Sequence, residues 1–202
     1  MMKRHAVGTA LLVAGLLSVS GRVASAQEWL WGLAYGFAAP QGNTKDFAND
    51  FSWRNFTVEA RRINENRNMS LGLNASWNVF FEKSTRTSVL PNVPGSVTGT
   101  QYRYINSWPI LLSAHHYFGH PYKPRPYIGI NLGGYIIEER VEIGLVAAHE
   151  TNLHFGGAPE IGITYPRGHQ IWWLGARYHA IMKAGNVPDQ NYLTVSLGVT
   201  AH

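Results

Sequence analysis

Cysteine is absent from the 202 residues, so no disulfide framework is available and the fold must be held by burial and hydrogen bonding. Beyond the N-terminal segment no stretch reaches the roughly 18 apolar residues of a spanning helix, so no helix is expected to cross a membrane. No motif of 20 to 50 residues repeats and no domain boundary is visible. The histidines share no ligand spacing at His120, His149, His154 and His169, and the neighbours His115 and His116 point to opposite faces of a strand, so no metal site is expected. The glycines of "GINLGG" precede no helix, so neither a nucleotide site nor any cofactor is expected. Basic residues do not cluster with aromatics as a nucleic-acid surface requires. Asn74-Ala75-Ser76 matches a glycosylation pattern only formally, because it lies inside a strand pattern.

The chain does have an export signal. Lys3 and Arg4 precede the apolar run 6–19, and Ala24-Ser25-Ala26 supplies an A-x-A site before Gln27. Residues 1–26 therefore read as a cleaved secretory signal peptide. The remaining 176 residues, 27–202, carry fourteen basic and twelve acidic side chains, a net charge of +2 rather than the +5 of the whole chain.

What fills those 176 residues is alternation. In "MSLGLNASWNVFF", 69–81, Met69, Leu71, Leu73, Ala75, Trp77, Val79 and Phe81 fall on one face of an extended strand and Ser70, Gly72, Asn74, Ser76 and Asn78 on the other. Thirteen residues far exceed the five or six of an ordinary strand, and about 9–11 tilted residues suffice to cross a bilayer. Seven further segments show the same period, at 28–38, 53–63, 102–116, 127–137, 152–165, 170–182 and 191–201, with Pro109 suggesting a bulge in the fourth strand. The connections alternate in length: longer at 39–52, 82–101, 138–151 and 183–190, tighter around "NENRN", "GHPYKPR" and "PRGH". Even strand number, long loops on one side and short turns on the other predict an all-β fold, an eight-stranded antiparallel up-and-down transmembrane β-barrel. A sheet in lipid must close, because an open edge would leave backbone groups unpaired.

The rival arrangement is a soluble barrel with an apolar lumen. Eight strands enclose only enough room for side chains, and Trp29, Trp31, Trp77, Trp108 and Trp172 on the bulky face do not suit so narrow an interior. The bulky face is therefore expected outside, with aromatics such as Trp29, Tyr102, Tyr104 and Tyr165 near the interfaces. The opposite face is rich in glycine, serine and alanine but carries charges of both signs. Enclosed charges must pair, so an interior polar network is expected of Glu59 and Glu160 with Arg61, Arg103 and Arg177, helped by Asn74, Asn131 and His179.

"RPYIGINLGGYII", 125–137, "FGGAPEIGITYP", 155–166, "WLGARYH", 173–179, and "NYLTVSLGV", 191–199, resemble the outer membrane protein beta-barrel domain family, small barrels similar to outer membrane protein A. The resemblance implies a cell outer membrane location and contact with outer-membrane lipid and lipopolysaccharide. It also implies insertion by the outer-membrane assembly machinery, which in the family reads a last strand ending in an aromatic residue. Here the sequence runs Gly198-Val199-Thr200-Ala201-His202 instead.

The second half also resembles, more weakly, the lipid A 3-O-deacylases, barrels with a His-x-Ser motif on the penultimate strand and a glutamate on the last. In "RYHAIMKAGNVPDQNYL" His179 is present, but Ile181 stands where the serine would follow, and Gln190 or Asn191 occupies the neighbourhood of the acid. A serine nucleophile needs a base and an orienting third group, so no catalytic residue is assigned. The expectation is a monomeric outer-membrane protein of a Gram-negative-type cell, porin-like in fold, with a plugged or very narrow lumen. Its role would be structural or surface-interacting through the loops 82–101 and 138–151. A lipid A-modifying enzyme and a narrow pore for small solutes are the alternatives.

Overall fold

The computed structural model describes residues 29–89, 96–143 and 146–201. The expected signal peptide 1–26 lies outside the described residues. Eight strands follow one another: β1 (Trp29–Gln41), β2 (Ser52–Asn64), β3 (Met69–Val89), β4 (Ser96–Tyr117), β5 (Arg125–Ile143), β6 (Val146–Arg167), β7 (Gln170–Ile181) and β8 (Gln190–Ala201). Each pairs antiparallel with its neighbours, and β1 closes on β8 through an unbroken ladder from Trp31↔Ala201 to Gln41↔Asn191. The result is a closed up-and-down barrel. One short helix, α1 (Gly42–Phe47), interrupts the β1–β2 connection, and a single 3-10 turn (Glu65–Arg67) joins β2 to β3.

The two ends of the barrel differ. The end where β1 begins and β8 finishes, here the terminal end, carries the tight turns; Gly168, at φ +61°, opens the two-residue turn between β6 and β7. At the opposite, hairpin end the strands are unequal. Pairing of β2 with β3 stops at Asn55↔Asn78 and that of β6 with β7 at Gly156↔Ile181. In contrast β3 stays paired with β4 to Val89↔Ser96, β4 with β5 to Gln101↔Ile143, and β5 with β6 to Ile143↔Val146.

Most of 82–101 and 138–151, expected as loops, is therefore paired strand. The physical reason is that ladder hydrogen bonds need no apolar face. Once a hairpin rises past the apolar band, alternation lapses while the pairing continues. A second correction concerns Pro109. The pairs of Ser76 with Pro109 and Trp77 with Trp108 are missing from the β3–β4 ladder, yet the register is the same on both sides of the gap and runs unbroken against β5. Proline removes a donor without adding a residue, so there is an interruption and no bulge.

The bulky face is outside. Leu112 is 69% exposed and Trp31 65%, and Leu71, Phe155 and Ile161 are nearly as open, which excludes the soluble barrel with an apolar lumen. On β5 the outward apolar positions run from Ile128 to Ile136 before Glu138. At about 3.3 Å per residue and a tilt near 40°, that span is roughly 20–25 Å high, close to the apolar band of a transmembrane barrel.

Inside, the filling is layered. Toward the hairpin end Phe80, Ile105, Leu111, Tyr135, Ile137, Ile181 and Tyr192 form a buried apolar core, with Ala48 in it and Phe47 of α1 packed against it. The lumen is thus not uniformly small and polar. Toward the terminal end, large side chains lie over glycines of facing strands. A β-carbon on Gly198 would stand 2.4 Å from the Trp173 ring, and one on Gly175 2.6 Å from the Tyr127 hydroxyl. These glycines are what make room for aromatic residues inside so small a barrel.

Candidate functional site: the barrel interior

In the terminal half of the lumen the period-two rule turns one side chain in two toward the axis, and the polar ones meet there. Glu160 on β6 lies directly opposite Arg177 on β7. Its Oε2 accepts Nε and Nη2 of Arg177 at 3.0 and 2.9 Å and Asn131 Nδ2 at 2.9 Å, while His115 Nε2 stands 3.3 Å away. Tyr127 donates its hydroxyl to the other oxygen at 2.8 Å. Asn131 also reaches across β4, accepting Asn74 Nδ2 at 2.9 Å, and donates to the Ala158 carbonyl at 3.0 Å.

A second ion pair joins this cluster. Arg61 donates Nη2 to Glu59 at 2.5 Å and Nη1 to the Tyr117 hydroxyl at 3.1 Å. Tyr117 touches Ser70 at 2.9 Å, and Ser70 touches His115 Nδ1 at 3.2 Å. Thr200 on β8 donates to Glu59 at 3.3 Å. The contacts therefore run from β8 through β2, β3 and β4 to β6 and β7, linking both carboxylates in one circuit. Glu59, Arg61, Asn74, Asn131, Glu160 and Arg177 are brought together.

Two of the expected residues stand elsewhere. His179, at 1% exposure, sits higher on the axis, stacked on Tyr192 with centroids 4.4 Å apart and bonded to the Tyr135 hydroxyl at 3.1 Å through Nδ1. Arg103 lies at the hairpin end, directly opposite Glu82, with its guanidinium 5.2 Å from the Phe47 ring and hydrogen bonds to the Phe47 carbonyl and Gln101. Strand parity gives the face but not the height, and Arg103 lies above the central circuit for that reason. The expected network leaves out Tyr117, Tyr127, Ser70, His115 and Thr200. Their signal is the same parity that selects Asn131 and Arg61; the sequence places Ser70 on the inward face as a small polar residue, and His115 is weighed only as a metal ligand.

At the hairpin end α1 is tied down across the mouth. Thr44 donates to Gln190 at 2.6 Å and accepts the Asn191 amide at 2.9 Å, Asn43 donates to Asp189 at 2.8 Å, and the Asn49 amide donates to Glu82 at 2.8 Å. Gln190 in turn donates to Glu139 at 2.8 Å. Burial, with Glu150 nearby and in spite of that hydrogen bond, pushes the Glu139 carboxyl up to about 7.

Chemically the interior is a filled plug in which both buried carboxylates of the circuit, Glu59 and Glu160, are paired with arginines. Tyr117, Tyr127, Tyr135, Tyr192, Phe80, Ile105, Leu111 and Ile137 are among its fully buried side chains. His179 faces this packed lumen, and Ile181 beside it is buried too. Among the described residues, no three His, Asp or Glu side chains come together to hold a metal ion.

The fold is that of the small eight-stranded up-and-down barrels of outer membranes. Among solved structures the chain is similar to Neisserial surface protein A, at 16% identity and a TM-score of 0.54, covering 86% of this chain and 94% of that one. Two others match less closely. Ail, the attachment invasion locus protein of Yersinia pestis, has 14% identity, a TM-score of 0.47 and coverage of 86% and 95%. The N-terminal β-barrel domain of OprF from Pseudomonas aeruginosa has 13% identity, a TM-score of 0.46 and coverage of 87% and 97%. No protein-family model and no curated protein matches the chain.

Proposed function

We propose that the chain is an exported outer-membrane protein in which the barrel is a filled, non-conducting anchor and the projecting parts of β3, β4, β5 and β6 are a surface for interaction outside the cell. The observation that carries this reading is the inequality of the strands: four outlast the others beyond the apolar band, in a continuous sheet. On this reading the terminal end faces the periplasm, the outward band contacts outer-membrane lipid and lipopolysaccharide, and the assembly machinery inserts the chain as a monomer after removal of residues 1–26.

The test is membrane fractionation of cells expressing the chain, with heat-modifiable gel migration and protease treatment of intact cells. The expected result is an outer-membrane band, compact before heating, cut by protease only in the hairpins. Replacing 85–100 by an Asn-Gly turn, which leaves Ser84 opposite Gln101 as in the native register, should keep the band compact and remove the cut in that hairpin. Recovery in the inner membrane or the soluble fraction would overturn the reading. The deacylase alternative is disfavoured by Ile181 where a serine is needed and by His179 facing the lumen; unchanged lipid A acylation by mass analysis removes it. Absence of conductance in planar bilayers removes the pore.

A further inference from the structure

Among the described residues, the terminal half of the lumen does not balance its charge. Its buried charged groups are Glu59 and Glu160 against Arg61, Arg125 and Arg177. Glu160 is engaged by Arg177, Asn131, Tyr127 and His115, and Glu59 by Arg61 and Thr200. Arg125 receives neither carboxylate. It is the first residue of β5, at the terminal mouth, only 2% exposed, and its guanidinium lies 4.5 Å from the centre of the Tyr117 ring. Arg125 Nε and Nη1 are buried without a hydrogen-bond partner. A cation–π contact offsets part of the desolvation of a cation but accepts none of its protons.

The neighbouring unpartnered groups are donors as well. Arg61 Nε and Trp173 Nε1 are buried without acceptors, and the Arg61 guanidinium sits 5.5 Å from the Trp173 ring. Arg61 donates to the same Tyr117 against which Arg125 lies. The unpartnered acceptors, Oδ1 of Asn55, Asn74 and Asn78 with Ser84 Oγ and His154 Nε2, belong to β2, β3 and β6 farther from this mouth. A floor of donors with one surplus positive charge has a definite complement, since a buried uncompensated charge is costly and a charge-assisted hydrogen bond is the strong kind. The surrounding sequence adds to the field: Arg62, Arg67, Lys123 and Arg167 belong to the turns and strand ends at this mouth, with Glu65 among them and Glu28 just before β1.

We propose that the terminal mouth, walled by Arg125, Tyr117, Arg61 and Trp173, binds one phosphate-type oxyanion. Arg125 supplies the uncompensated charge and Trp173 a directional N–H. The oxyanion is either a free phosphate or the phosphate of a lipid headgroup at the barrel rim. The site stands on the barrel geometry alone; only its periplasmic address rests on the function proposed above.

The test uses the refolded barrel in a maltoside detergent, free of phosphate, titrated with inorganic phosphate by calorimetry and by the midpoint of heat-modified gel migration. One phosphate per barrel should bind saturably and raise the midpoint. Arg125→Gln should migrate as a folded barrel and lose at least tenfold in affinity, and Trp173→Phe severalfold. Should Arg125→Gln fail to fold, Arg125→Lys, which keeps the charge on a different donor geometry, should fold and bind more weakly than the parent. A second arm reconstitutes the barrel in phosphatidylglycerol and in phosphatidylcholine vesicles. Stabilisation by a phospholipid that depends on Arg125, without an effect of inorganic phosphate, assigns the headgroup as the source. No saturable effect in either arm, or an effect equal in the Arg125 and Trp173 variants and the parent, would overturn the site.

Discussion

Glu160 and Arg177 face each other across the β6–β7 ladder, and the carboxylate oxygen that receives both Nε and Nη2 of the arginine also receives the Asn131 amide. The pair is the hub at which the circuit of β2, β3 and β4 meets β5, β6 and β7.

Removing one member of this pair strands the other. Glu160→Ala should destabilise the barrel by about 3–5 kcal/mol, the cost of leaving a buried charge unmatched. The double variant Glu160→Leu with Arg177→Met should recover much of that loss. Urea unfolding from vesicles, followed by tryptophan fluorescence, measures both; equal loss in the single and double variants would contradict the pairing.

Gly198 has a steric role. Because the Trp173 ring occupies the space a β-carbon would take, Gly198→Ala should cost about 1–3 kcal/mol by overpacking. In a Trp173→Leu background the same change should be nearly neutral. The comparison is a double-mutant cycle on unfolding midpoints.

The outward band can be probed by charge. Leu132→Arg, near the middle of the apolar stretch of β5, should cost about 2–4 kcal/mol in lipid. Thr85→Arg, on the projecting part of β3, should be close to neutral. Equal effects at the two positions in vesicles would deny that lipid surrounds Leu132.

Glu139 gives the hairpin end a pH dependence. Its folded carboxyl titrates at about 7, above the ordinary value of 4.5. The folded state therefore holds a proton that the unfolded state releases between those values. Its stabilising contribution is complete below pH 4.5 and lost as pH rises through 7. Amide exchange in the β5–β6 ladder, corrected for the intrinsic rate, should show more protection at pH 5 than at pH 8. Glu139→Gln should flatten that difference.

Much of the barrel was legible because lipid and lumen impose a strict two-residue period. Met69 to Trp77 and Ile128 to Ile136 turn outward as their parity requires, and Asn74, Asn131 and Glu160 turn inward. Parity alone does not give height. Arg103 and Arg61 share the inward face, yet one lies by α1 and the other at the terminal mouth, because Arg103 stands near the hairpin end of β4 and Arg61 near the terminal end of β2. Nor did 82–101 announce a hairpin, since its backbone pairs without an apolar stripe to betray it. The buried tyrosines, Tyr127 and Tyr135 among them, were readable by parity alone but resembled ordinary interfacial aromatics.

The unequal lengths of the strands give the molecule a front and a back within the plane of the bilayer. Eight equal strands would present the same crown to every side, whereas here β3 to β6 raise a wall over one arc of the rim and β7, β8, β1 and β2 leave the opposite arc low. Anything settling on the crown meets that wall from one azimuth only, so contact there fixes the rotation of the barrel about the membrane normal as well as its position.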